Sequence, residues 1–131
     1  MMTLIQKLSP NILILEEVSF THATREQVYS KLNSLGYPTQ NIVFCQAEIL
    51  YGSPFGNMIA SKFPLMNTRN IKLATFQESR CAVVVDIQLP NQQIIRVYGF
   101  HLDVFDITEQ TCFNQISQIL NDDQNSPIQV F

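Results

Sequence analysis

Charge is scarce in this chain. Only 15% of its 131 residues are charged, and eight Lys and Arg face eleven Asp and Glu for a net charge of -3. Holding nucleic acid by bulk electrostatics takes many phosphate-neutralising cations, so this balance argues against that mode. Cysteine is also sparse: Cys45, Cys81 and Cys112 are odd in number and lack the close spacings of a zinc site or redox pair. Reduced thiols in an intracellular compartment, cytoplasmic or nuclear, are the simplest reading. No apolar run approaches a membrane span, and the N-terminus lacks the basic-then-apolar layout of a secretory signal. There is no internal repeat and no low-complexity tract.

What the chain does have is apolar residues, 46% of the total. That composition belongs to a folded globular protein, and this length suits one domain able to bury about two thirds of its unfolded surface. The few cations are unevenly spread. Lys62, Arg69, Lys72, Arg80 and Arg96 lie in a stretch holding only two acids, Glu78 and Asp86. A solvated strand surface explains this, and a phosphate-bearing ligand would also suit it.

The stretch from Asn11 to Val18 organises the rest. Four apolar residues, Ile12 to Leu15, run straight into Glu16 and Glu17, which reads as a buried strand whose far end meets a polar site. Strict alternation puts Leu13, Leu15 and Glu17 on one face and Ile12, Ile14 and Glu16 on the other. An unpaired buried carboxylate costs several kcal/mol, so such an acid is either paired, bound to a metal ion, or simply at the surface.

Leu4, Ile5 and Leu8 have helical spacing ahead of Ser9-Pro10, and predict the last turns of a helix over Thr3 to Leu8. Thr24-Arg25-Glu26-Gln27 fits a capping box, Val28, Leu32 and Leu35 share a face, and Gly36 suits a helix stop, which predicts a helix from Thr24 to Leu35. Strands are expected at Ile42 to Cys45, Asn57 to Lys62, Ile71 to Phe76, Cys81 to Leu89 and Ile94 to His101, with a turn at Gly52-Ser53-Pro54 and a hairpin loop at Pro90 to Gln93. A last helix follows a cap at Asp106 to Glu109, with Phe113, Ile116, Ile119 and Leu120 as its buried stripe. Pro127 to Phe131 reads as a further strand. The pattern predicts an α/β (α+β) domain with a mixed, mostly antiparallel sheet and helices on one face.

Four segments, in order, resemble the endonuclease/exonuclease/phosphatase superfamily, which includes apurinic endonucleases, deoxyribonuclease I-like enzymes, neutral sphingomyelinases, inositol polyphosphate phosphatases and tyrosyl-DNA phosphodiesterases. Pro10-Asn11-Ile12-Leu13-Ile14-Leu15-Glu16-Glu17-Val18 resembles the superfamily's P-D-I-hydrophobic-x-L-Q-E-V strand. Gly56-Asn57-Met58-Ile59-Ala60-Ser61-Lys62-Phe63-Pro64-Leu65 is similar to G-N-A-I-L-S-R-F-P-I. Val97-Tyr98-Gly99-Phe100-His101-Leu102-Asp103 is similar to V-x-N-T-H-L, and Gln115 falls at the glutamine of R-x-x-Q, with Cys112 in place of the arginine.

The resemblance implies a partial four-layer α/β sandwich of deoxyribonuclease I type. It further implies Glu17 as a metal ligand, His101 as the catalytic, phosphate-facing histidine, and Mg2+ or Mn2+ as cofactor. The substrate would be a phosphoester, whether nucleic acid, lipid or inositol phosphate. Arg80 is a candidate phosphate contact by its forked donors, against the plainer reading of an exposed arginine at a strand start. Asn57 reads as structural and His22 as solvent-exposed, while Asp103 either supports the site or caps a turn. The superfamily's domain is longer. Residues 1–131 are therefore expected to be a single incomplete domain, lacking the first strand and the C-terminal half, and silent or nearly so as a hydrolase. The alternative is a binding module that associates with itself through an uncovered sheet face.

Overall fold

A computed structural model describes residues 1–129 of the chain. The first elements are α1 (Met2–Leu8), β1 (Ile12–Ser19), α2 (Arg25–Ser34) and a short 3-10 turn (Thr39–Asn41). After them come β2 (Ile42–Leu50), β3 (Ser53–Ser61), β4 (Leu65–Lys72), β5 (Cys81–Gln88), β6 (Ile94–Phe100) and α3 (Gln110–Asn125). The strands form two three-stranded sheets, ordered β1-β3-β2 and β4-β5-β6, and every pairing is antiparallel. The mostly antiparallel pairing expected from the sequence is antiparallel throughout and is divided between two sheets, as the partial four-layer sandwich implies.

The sheets stack face to face. Ile59 of β3 and Val83, Val85 and Ile87 of β5 meet in a core joined by Ile12, Val43, Ile95 and Val97. Alternation sends Met58 and Ala60 to the opposite side of β3, where Leu13, Leu32, Tyr37 and Ile5 close a second core beneath α1 and α2. A smaller cluster of Leu73, Ala82 and Ile119 seats α3 on the outer face of β4-β5-β6. Helices thus cover both outer faces rather than one, which makes four layers. Both sheets also leave strand edges open.

Several elements follow their sequence signals closely. Thr24 Oγ1 accepts from Gln27 N at 3.2 Å while Gln27 Oε1 accepts from Thr24 N at 2.9 Å, a complete capping box. Gly36 follows the helix at φ 101°. Others differ. The strand expected at Ile71 to Phe76 is β4, ending at Lys72, because Phe63-Pro64 breaks the chain and β4 begins at Leu65 directly after it. Ser53 and Pro54 belong to β3, and the turn is Tyr51-Gly52. On α3 the buried residues are Thr111, Gln115 and Ile119, whereas Phe113, Ile116 and Leu120 are exposed. Of the strand expected over Pro127 to Phe131, residues 127–129 have no regular structure, and Val130 and Phe131 lie outside the described residues.

Cys45 and Cys81, on facing strands β2 and β5, bring their sulfurs together with Cα atoms 6.5 Å apart, and Cys112 stands apart from them. The contact arises between sheets, 36 residues apart, so no local spacing announces it. No helix among the described residues is long and apolar enough to cross a membrane.

Candidate phosphoester site

The site begins with a break in the ladder of β1. Leu15 pairs with Met58 and Val18 with Gly56, so Glu16 and Glu17 together oppose the single residue Asn57. This is a β-bulge, and Glu17 takes the left-handed conformation at φ 55°. Its consequence corrects the strict alternation read from the sequence. Val18 rejoins Leu13 and Leu15 on the helix side, while Glu17 is turned toward the other sheet.

There it meets His101, the first residue after β6. Glu17 Oε1 lies 3.6 Å from His101 Nδ1, with the carboxylate side chain 60% exposed and the imidazole 25% exposed. At that distance the pair is in proximity without a hydrogen bond. His101 is instead held by Arg80, whose Nη1 is 2.6 Å from His101 Nδ1. The second arm of the guanidinium, Nη2, lies 3.1 Å from Glu78 Oε2. Arg80 is only 5% exposed, so its fork faces His101 and Glu78 rather than solvent. The exposed strand-start arginine of the sequence reading is thus buried, because the loop before β5 folds the side chain back beneath the end of β6.

Asn57 ties the two sheets together behind this group. Its Nδ2 donates to Cys81 O at 2.9 Å, fixing the residue next to Arg80 directly opposite the Glu17 bulge. Asp103 caps a turn: Oδ1 accepts from the amides of Phe105 and Asp106 at 2.9 and 2.8 Å. Gln115, fully buried, accepts from Asp103 N and donates to Ala74 O, so it anchors α3 rather than facing the cleft. His22 is exposed.

The local excess of cations forms no open basic patch. Arg69 pairs with Asp122, Arg96 with Asp86, and Lys62 Nζ sits 2.6 Å from Ser9 Oγ. Burial alone would raise the Asp86 carboxyl, but hydrogen bonds from Arg96 and Asn67 and the Arg96 charge outweigh it and hold the group below the usual carboxylate range. Among the described residues no three His, Cys, Asp or Glu side chains converge as a complete metal cage. The sequence shows Glu17 and His101, but not the bulge that aims one or the buried arginine that holds the other. Both depend on partners distant in the chain.

Two stacked antiparallel sheets with helices outside make this a deoxyribonuclease I-like fold. The fold is that of endonuclease/exonuclease/phosphatase proteins. A protein of that description from Beutenbergia cavernae DSM 12333 superposes with a TM-score of 0.79 at 19% identity, over 92% of this chain and 37% of the other. ANGEL2, a 2',3'-cyclic phosphatase, matches with a TM-score of 0.79 at 20% identity over 98% and 37%. D. rerio TDP2, in complex with a single-strand DNA product, matches with a TM-score of 0.68 at 16% identity over 95% and 46%. The chain thus spans little more than a third of the first two structures. No protein-family model and no curated protein matches the sequence.

Proposed function

We propose that this chain carries one side of a divalent-metal-dependent phosphoester hydrolase site, with Glu17 as metal ligand and His101 as the group that contacts the phosphoryl oxygens. The observation that carries this reading is the 3.6 Å approach of Glu17 to His101 from strands of opposite sheets. Glu17 suits a hard cation: its oxygens are accessible, and Mg2+ is commonly held by one or two carboxylates with water and phosphate oxygens completing an octahedron. When bound, such an ion polarises a phosphoryl oxygen. One carboxylate and one imidazole orient a phosphate but do not assemble an attacking water. This chain alone is therefore expected to bind and not to turn over.

The test is Mg2+ titration of the isotopically labelled chain by NMR, together with hydrolysis of bis(p-nitrophenyl) phosphate. Shifts are expected at Glu17 and its neighbours, lost in Glu17→Gln, with no hydrolysis. Shifts unchanged by Glu17→Gln would refute the metal role, and turnover by this chain would refute the incomplete site.

A second reading, a self-associating binding module, is favoured by β1 and β6. Both are edge strands on the same side of the sandwich, where Ile14 of β1 lies against Gly99 of β6. β6 offers an unpaired ladder whose one charged residue, Arg96, is engaged with Asp86.

A further inference from the structure

We propose that Arg80 is a positioning residue, one that fixes His101 as the tautomer carrying its hydrogen on Nε2. The chemistry of the two groups allows little else. A guanidinium only donates hydrogen bonds, so the nitrogen it meets at 2.6 Å must offer a lone pair. That nitrogen is Nδ1, which leaves Nε2 as the ring nitrogen bearing hydrogen. The competing tautomer would place the hydrogen on Nδ1 and aim it at Glu17. The distances decide between them, because Glu17 Oε1 at 3.6 Å is beyond hydrogen-bond range and Arg80 Nη1 is well inside it.

Arg80 is built to hold this position. Its side chain is 5% exposed, its Nη2 is paired with Glu78, and its own carbonyl accepts from Leu73 N at 3.0 Å. The next residue, Cys81, is fixed by its carbonyl's bond from Asn57 and by its Sγ against Cys45 O at 3.3 Å. The arginine therefore reaches His101 from a backbone anchored on three sides. His101 is partly exposed, so an acceptor such as a phosphoryl oxygen can meet its N–H. Glu17, relieved of any bond to the ring, keeps its oxygens free.

The consequence for phosphate rests on the function proposed above, but the tautomer does not. The two are tested separately. The imidazole nitrogens of the full chain are read by long-range nitrogen–proton NMR correlation at pH 8, without metal or phosphate. His22, the only other histidine, is exposed and serves as an internal reference for a ring that samples both tautomers.

The expected spectrum has a single unprotonated Nδ1 and a single protonated Nε2 at His101. Arg80→Met is expected to move the His101 pattern toward that of His22, and Arg80→Lys, which retains a donor, to restore it in part. A protonated Nδ1 in the wild-type chain overturns the proposal whether or not the variants fold. So does an unchanged pattern in folded Arg80→Met. Loss of Mg2+ binding at Glu17 would leave this readout untouched, so failure of the metal reading and failure of this one are distinguishable.

Discussion

Glu17 occupies a backbone conformation that glutamate adopts at a cost of roughly 1–2 kcal/mol relative to the ordinary regions. The bulge imposes it, and the return is a carboxylate facing the opposite sheet. Glu17→Gly is therefore expected to hold or raise stability, by up to about 1 kcal/mol in urea unfolding, while removing the proposed metal donor. A clear loss of stability would mean that the carboxylate, not the turn, is the structural element. Asp86 and Arg96 show the opposite balance. Both are buried, with Arg96 Nε 2.7 Å from Asp86 Oδ1, so Asp86→Asn leaves Arg96 with only the exposed Asp123 carboxylate at 3.7 Å and is expected to cost about 3 kcal/mol. Because the folded-state pKa of Asp86 is lowered, its contribution is complete above the ordinary carboxylate range, about 4, and is lost as pH falls through the folded-state value. The difference in urea midpoint between wild type and Asp86→Asn should therefore be smaller at pH 3 than at pH 7.

At the scale of elements, α2 and α3 obey different rules. The capping box of α2 is local, and Thr24→Ala should lower stability by about 1 kcal/mol in thermal or urea unfolding. The orientation of α3 is set by what it lands on. Gln115 reaches Ala74 and Asp103, and Arg69 and Tyr98 grip Asp122 at 2.5 and 2.8 Å. This rotates Thr111, Gln115 and Ile119 inward and leaves Phe113, Ile116 and Leu120 outside. Accordingly Ile119→Ala should cost about 2–5 kcal/mol, and Ile116→Ser no more than about 0.5 kcal/mol. Equal costs would show that the helix is rotated from this placement. The apolar spacing announced an amphipathic helix correctly, but it could not weigh two buried polar anchors against three exposed hydrophobics.

The molecule as a whole has helices against both outer faces and free strand edges on two sides. On one side the edges are β1 and β6, and Glu17 and His101 stand at the ends of those strands. An unpaired apolar edge is a template for further strands, from a second copy or from further polypeptide. Sedimentation velocity is expected to show concentration-dependent association, reduced when Ile94→Lys places a charge on the face of β6 that lies outside the inter-sheet core. A strictly monomeric chain at all concentrations would remove the self-associating reading.

The sequence alone determined the capping box of α2, the alternation of β5 and the two strand ends that carry Glu17 and His101, because each rests on neighbours within a few residues. Tertiary structure alone decided the Cys45–Cys81 contact, the turning of Glu17 across the sandwich and the burial of Arg80 against His101. Those features arise from groups some 20 to 85 positions apart, whose meeting is set by sheet stacking and strand register rather than by local preference.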